Sequence, residues 1–464
     1  MTNVISAAFA AAGLEELREH VAGDVFAPGD EGFETGRSTW NLSYAAQVPA
    51  LVIMAATAGD VAAAVRYANE HELGTAVQAT GHGVIEPANG ALLINTAAMK
   101  GVTIRPEEKT AYVEAGAVWG DVLAPAQEVG LAPLLGSSPG VGAVGYTLGG
   151  GMGWLVRKYG LAADSVRYFD VVTADGEQRR VSNDENSDLF WGLRGGRSTL
   201  AVVTGMEIDL FPVTMVYGGS IIYPAALARP ILERYRDWIA TTPEDLTTSV
   251  ALMNVPAMPG VPEMLQGKSV VMVRACYCGP MEEAEEYFQT WQEGPEPIAN
   301  FVGPMPFSQV AMISQDPEHP MPGYVTGIWL DTINDDVIET LCERTLVSEG
   351  PPPLVFSEVR HVSGAKGRHA ADRNAIDHRQ ESLILNVLGI TPSPEAYEQV
   401  VAYARDYMQE LQAHSKGIYP NFIEGPEAQS VFAEGFTVET YERLKGLKEM
   451  YDPQNRFRYG PAFQ

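Results

Sequence analysis

Between residues 51 and 211, short apolar runs alternate with stretches in which apolar residues recur at helical spacing. Residues 51–55 predict a strand. Thr57-Ala-Gly-Asp60 has the form of a capping box, and the stripe Val61, Val65, Tyr67 and Ala68 predicts a helix over residues 61–72, closed by Gly74. Residues 75–78, 92–95 and 112–115 predict further strands, so the chain opens with a β-α-β unit whose second strand delivers a loop at 79–83. Ligands of α/β units commonly bind at such strand ends. A second α/β stretch follows, with strands at 169–173 and 179–181 about an Asp175-Gly176 turn, a short helix at 189–194 and a strand at 201–210.

Beyond Pro212 the pattern changes. Helices predicted at 225–240 and 282–292 separate strands at 270–277, 327–330, 354–359 and 382–389, the signature of an α+β region built on an antiparallel sheet. Asp377-His378-Arg379 reads as a solvated turn before the last of these strands. Residues 419–464 are rich in aromatics and predict a tail packed back onto the body, and residues 1–13 predict a short surface helix.

Composition narrows the function classes. The 464 residues are 46% hydrophobic and 19% charged, which suits a globular chain with a sizeable core and, at about 150 residues per domain, about three domains. With 59 acidic against 31 basic residues the net charge is -28, so neither nucleic acid nor an anionic membrane surface is an expected partner. Cys276, Cys278 and Cys342 are too few for a disulfide framework, and no matching Cys or His pair completes a metal site. The N-terminus has no basic start before its alanines and is soon charged, so neither a signal peptide nor a membrane span is expected and the location is read as cytoplasmic.

Candidate chemistry concentrates in two glycine-dense loops. Residues 79–83 read Ala-Thr-Gly-His-Gly, and residues 136–153 read Gly-Ser-Ser-Pro-Gly-Val-Gly-Ala-Val-Gly-Tyr-Thr-Leu-Gly-Gly-Gly-Met-Gly. Without Cβ atoms such backbone closes on a large planar or phosphorylated ligand and turns its N–H groups inward as an anion nest. The glycines are too many and too spread for a Rossmann fingerprint. His82 is a nucleophile that could hold the ligand covalently, or a histidine that only donates a hydrogen bond within a glycine turn.

In these segments, taken in order, the chain resembles the berberine-bridge-enzyme-like FAD-linked oxidases of the vanillyl-alcohol oxidase superfamily, in particular bacterial members of natural-product pathways. The resemblance is carried by Gly81-His82, the glycine run from Gly140, Tyr159-Gly-Leu-Ala-Ala-Asp164, Val172-Thr-Ala-Asp-Gly176, Asp188-Leu-Phe-Trp-Gly-Leu-Arg-Gly-Gly196, Val202-Val-Thr204, Tyr419-Pro-Asn-Phe422 and Tyr451-Asp-Pro-Gln-Asn455. It implies a two-part FAD-binding domain, residues 1–212 with the returning segment 416–464, and an inserted substrate domain, residues 213–415, on an antiparallel sheet. It implies FAD bonded to His82, and decides for covalent attachment there. Cofactor contacts are implied at Ala79, Thr80, Gly81, His82, Gly83, Gly136, Ser137, Ser138, Val141, Gly142, Gly145, Tyr146, Gly149, Gly150, Gly153, Val202, Val203, Tyr419 and Asn421.

Departures from the family pattern carry their own expectations. Ser138 stands where many relatives have a second flavin-bonded cysteine, which implies single attachment. Residues 195–201 read Gly-Gly-Arg-Ser-Thr-Leu-Ala instead of a glycine cluster, and Phe422 replaces a tyrosine that often takes the substrate proton. Catalytic candidates are therefore Tyr146, Glu358, Arg360 and Tyr419. On a strand, Phe356, Glu358 and Arg360 share one face, and Glu358 is either kept protonated by desolvation or ionised by Arg360. The expected activity is dehydrogenation of a small or medium organic substrate by hydride transfer to the flavin, with molecular oxygen reduced to hydrogen peroxide. Flavin-dependent oxygenation, or flavin binding without turnover, are the alternatives.

Overall fold

In the computed structural model, which describes residues 13–257, 261–346, 353–369, 372–461 and 463, the described strands form three sheets. Apart from Gly13, the helix expected over residues 1–13 lies outside the described residues. The first sheet holds β1 (Asp24–Phe26), β2 (Leu51–Met54), β3 (Thr75–Gln78) and β4 (Leu92–Asn95) in the order β1-β2-β4-β3. Strands β2 and β3 run parallel to β4, as the β-α-β pattern predicts, and β1 pairs antiparallel with β2. Between β2 and β3 lies α1 (Ala58–Glu70), and its capping box forms as expected: Asp60 N donates to Thr57 Oγ1 at 3.1 Å, and Thr57 N donates to Asp60 Oδ2 at 3.2 Å. The end of α1 differs from expectation. His71 caps it, and the left-handed turn is made by Glu72 at φ 55°, not by Gly74. Gly74 is bare for another reason: a Cβ there would lie 2.7 Å from Arg458 Cζ, where the C-terminal tail crosses. Thr75 N donates to Arg456 O at 2.8 Å at the same crossing.

The second sheet collects β5 (Val102–Arg105), β6 (Thr110–Glu114), β7 (Val166–Val172), β8 (Gln178–Ser182) and β9 (Val202–Asp209), with α2 (Trp119–Glu128), α3 (Ala143–Leu148) and α4 (Ser187–Leu193) in its connections. Its order is β5-β6-β9-β7-β8 and every pair is antiparallel. The α/β alternation expected here is thus a sequence of elements without parallel crossovers. The Asp175-Gly176 turn forms, with Gly176 at φ 79°. Helix α1 packs between this sheet and the first, burying Val61 and Val65 with Val172 and Val202.

The third sheet is antiparallel throughout, as the second half of the sequence predicts. It contains β10 (Met215–Pro224), β11 (Leu246–Asn254), β12 (Ser269–Tyr277), β13 (Ala299–Asn300), β14 (Gly303–Pro306), β15 (Gly323–Leu330), β16 (Phe356–His361), β17 (Leu383–Ile390) and β18 (Ser415–Ile418). The order is β13-β10-β12-β11-β16-β17-β15-β18, with β14 also on β10. One face is covered by α5 (Ala228–Ile239), α6 (Asp335–Thr345) and α7 (Pro394–Glu410), while α8 (Val438–Tyr451) packs on α4. The helix expected over 282–292 breaks into the short turns Met281–Glu283, Ala284–Tyr287 and Gln289–Gln292. Strand alternation sends Val359, Leu385 and Val387 into the helix-covered core and leaves Phe356, Arg360, Asn386 and Leu388 on the opposite face.

Candidate active site

A cavity runs from Ala76 and Gln78 of the first sheet to Arg360 and Asn386 of the third. Strand β3 ends at its mouth, so Ala79, Thr80, Gly81, His82 and Gly83 all border it. Gly81 sits at φ 71°, where a Cβ would meet Thr39 Cα at 2.8 Å, and the loop is tied to the preceding segment by Trp40 N donating to Thr80 O at 2.9 Å. The His82 ring stacks on Trp40 with centroids 4.4 Å apart, and its Nδ1 engages Thr80 Oγ1 at 2.7 Å. Its Nε2 has no partner among the described residues. Burial pushes the imidazole down to about 4, so it is neutral near pH 7.

The second glycine segment divides. Gly136, Ser137, Ser138, Val141, Gly142, Gly145 and Tyr146 border the cavity. Gly149, Gly150 and Gly153 do not. A Cβ at Gly149 would lie 1.8 Å from Asn421 Oδ1, one at Gly153 1.8 Å from Leu135 O, and one at Gly150 3.1 Å from the Tyr419 hydroxyl. These glycines admit protein neighbours, not cavity contents. Val202 and Val203 lie in β9, buried in the two cores away from the cavity. Tyr146 packs edge-on to Trp119, and its buried hydroxyl has no partner among the described residues. Asn421 borders the cavity and donates from Nδ2 to Tyr146 O at 2.8 Å. Tyr419 is sealed behind that wall, edge-on to Trp329 and Phe422, and burial holds both phenols far above their ordinary pKa.

Arg360 borders the cavity from β16, but Glu358 does not. Glu358 accepts from Ser249 Oγ at 2.7 Å, Arg274 Nη1 at 3.0 Å and Arg360 Nε at 2.7 Å. Burial alone would raise its carboxyl, yet the Arg360 and Arg274 charges hold it down at about 2. Of the two protonation states open to it from sequence, the ionised one is built. The solvated turn expected at 377–379 is corrected as well: Arg379 is buried and donates to Asp164 Oδ1 at 2.7 Å and to Asn374 Oδ1 at 2.7 Å.

Comparison with known proteins agrees with this geometry. Residues 49–182 match the model of an FAD binding domain. The FAD-linked oxidoreductase DDB_G0289697 of Dictyostelium discoideum is 26% identical over 451 residues, 96% of this chain and 95% of that protein. The (R)-6-hydroxynicotine oxidase of Paenarthrobacter nicotinovorans is 25% identical over 456 residues, 95% of this chain and 96% of that protein. Similarity of this extent supports an FAD-dependent oxidoreductase. The solved structure of BBE-like 1 from Physcomitrella patens superposes with a TM-score of 0.84 at 17% identity, covering 97% of this chain and 99% of that one, and so shares the vanillyl-alcohol oxidase type of fold.

For an FAD-linked oxidoreductase the cavity must admit a long dinucleotide, and its walls fit one. A Cβ added at Gly145 meets nothing within 4 Å, so this part of the wall is backbone held bare. The buried hydroxyl of Tyr146 and Oδ1 of Asn386 are polar atoms left without protein partners at the same wall. Several wall residues went unnoticed in the sequence. Trp40 and Asn386 are among them, although a lone asparagine in the apolar run of β17 is a readable signal. Glu424 is another: it accepts from Asn41 Nδ2 at 3.1 Å and Val325 N at 2.9 Å, and burial pushes its carboxyl up to about 8. Arg197, at φ 62°, borders the cavity and donates to the carbonyls of Gly83 and Pro420. Among the described residues no helix is long and apolar enough to cross a membrane.

Proposed function

We propose that this FAD-linked oxidoreductase is an oxidase that carries its cofactor on His82 alone and dehydrogenates a small or medium organic substrate, such as an alcohol, an amine or a biosynthetic intermediate. Molecular oxygen is the final acceptor and hydrogen peroxide the by-product. The observation that carries this reading is a single cavity walled by the His82 loop, the glycine segment with Tyr146, and the polar row of the third sheet. In this reading residues 1–212 and 416–464 hold the cofactor, and residues 213–415 cover it.

FAD, when bound, supplies the two-electron acceptor for a substrate C–H bond and reacts with oxygen. The chain supplies the rest. Thr80 engages Nδ1 of a neutral His82 and leaves Nε2 free; with the proton on Nδ1 donated to Thr80 Oγ1, Nε2 carries the lone pair that makes an imidazole nucleophilic. Ser138 stands on the same wall and offers no thiolate for a second bond. Burial keeps the Tyr146 and Tyr419 phenols protonated, so neither is the base, and only Tyr146 borders the cavity. Glu424, with a carboxyl near 8 on the cavity wall, is the group suited to accept the substrate proton, because a base works best when its pKa lies near the working pH. Glu358 acts through Arg360, whose position it fixes.

Acid precipitation tests the attachment. The wild-type pellet should be yellow, and that of His82→Ala colourless with flavin in the supernatant; a colourless wild-type pellet refutes the covalent bond. After anaerobic photoreduction, air should restore the oxidised spectrum within seconds and release peroxide, whereas slow return without peroxide points to a dehydrogenase. Phe422 in place of the usual phenol favours a second reading, oxygenation of the substrate. Labelled oxygen appearing in product rather than in peroxide would identify it.

A further inference from the structure

A buried cluster in the third-sheet wall holds one more cation than anion. Arg274, Glu358 and Arg360 form one cluster with side-chain exposures of 5%, 1% and 16%, a single carboxylate between two guanidinium groups. Both Glu358 oxygens are engaged inside it, Oε1 by Arg274 and Ser249 and Oε2 by Arg360. Arg274 turns its other amino group to Ser314 O at 3.1 Å and does not border the cavity. The surplus charge therefore faces the cavity through Arg360. Its Nη1 and Nη2 have no acceptor among the described residues. Asp316, on the same wall, approaches closely enough to interact with this charge but forms no ion pair with it.

The surroundings specify the missing partner further. Guanidinium donors left without acceptors at 16% exposure are costly, and the edge not used by Glu358, Nη1 with Nη2, is the flat two-donor edge that matches a carboxylate. The Phe422 ring centroid is 5.5 Å from the guanidinium carbon, which keeps one side of the group apolar. Asn386, the register partner of Glu358 across the sheet, borders the same cavity and has a buried Oδ1 without a partner among the described residues. One unfilled two-donor edge, with the Asp316 carboxylate close by, suits a single carboxylate and disfavours a dianion such as a phosphate monoester.

We propose that the substrate is an organic carboxylate, seated end-on against Nη1 and Nη2 of Arg360, with a hydroxyl or amino group of the same molecule donating to Asn386. Glu358, Arg274 and Ser249 are positioning residues for Arg360. The assignment rests on the cavity being the substrate site of the oxidase proposed above.

Calorimetric titration of the protein as purified tests it, with benzoate, phenylacetate and salicylate against their three uncharged amides. At least one acid should bind about tenfold or more tightly than its amide, the difference expected of a hydrogen-bonded charge. Arg360→Gln should abolish that preference, and Arg360→Lys should retain part of it. The proposal is overturned if none of the acids is preferred over its amide, or if Arg360→Gln keeps the preference. The wild-type comparison needs no variant, so misfolding of Arg360→Gln leaves it decisive. Heat of binding does not depend on the chromophore: colourless protein that still prefers the acids would defeat the flavin reading alone, and yellow protein indifferent to charge would defeat the carboxylate alone.

Discussion

Two buried glutamates show how one side-chain type takes opposite characters from its neighbours. Glu358 is held near 2 against its burial by the charges of Arg360 and Arg274, so the stability it contributes is present above the ordinary carboxylate range and is lost as pH falls toward 2. Glu424 has hydrogen-bond donors but no ion pair, and burial raises it to about 8. Its contribution is complete below the ordinary carboxylate pKa and is lost as pH rises through about 8, because the folded state binds the proton more tightly than the unfolded chain. Glu424→Gln keeps an oxygen for Asn41 and Val325 and removes the charge. The wild type should lose melting temperature relative to this variant as pH goes from about 5 to about 8, measured side by side so that the charge of the rest of the chain cancels. Parallel curves would mean that Glu424 titrates as an exposed carboxyl.

At the scale of elements, the glycine segment 136–153 is one sequence feature with two uses. Gly145 lies inside α3 facing open cavity, whereas Gly149 is bare because Asn421 Oδ1 occupies the place of its side chain. Gly145→Ala should therefore leave the melting temperature unchanged or slightly higher, as alanine favours a helix, while lowering the flavin content of the purified protein by filling the cradle. Gly149→Ala should cost about 1–3 kcal/mol in urea unfolding, because Asn421 must move. If the two variants behave alike, the division of the segment is wrong. Sequence alone made the segment visible and not its division, since the separation depends on where the C-terminal turn Pro420–Phe422 docks. The same distinction runs through the fold. The capping box of α1 and the strands of the first sheet follow from local pattern, and so were legible. Strands β10 and β11 were not: β10 contains the Gly218-Gly219 pair, and β11 begins Leu246-Thr247-Thr248-Ser249, whose polar residues Thr248 and Ser249 are bonded by the distant Tyr235 and Glu358. Arg360 and Asn421 could be named from motif and face, but Trp40, Asn386 and Glu424 meet only when three distant segments assemble.

At the scale of the whole molecule, the cavity exists only while the first and third sheets keep their spacing, and buried polar ties between distant segments hold it. Asp164, just before β7, accepts two hydrogen bonds from Arg379, just before β17, at 3.2 and 2.7 Å, and a third from Asn374 at 3.0 Å. Lys448 of α8 similarly donates to Thr199 O, joining the tail to the body, and to Phe457 O within the tail. Removing one partner of such a pair leaves the other charge buried, a cost of about 3–5 kcal/mol. Asp164→Asn should therefore lower the urea midpoint strongly. If the tie maintains the cavity and not only its own corner, the rise of flavin fluorescence should move to lower urea together with the loss of helix signal. Fluorescence rising at an unchanged urea concentration, with only the helix signal shifted, would show that the cavity is held by other contacts and that the Asp164–Arg379 pair stabilises its own surroundings alone.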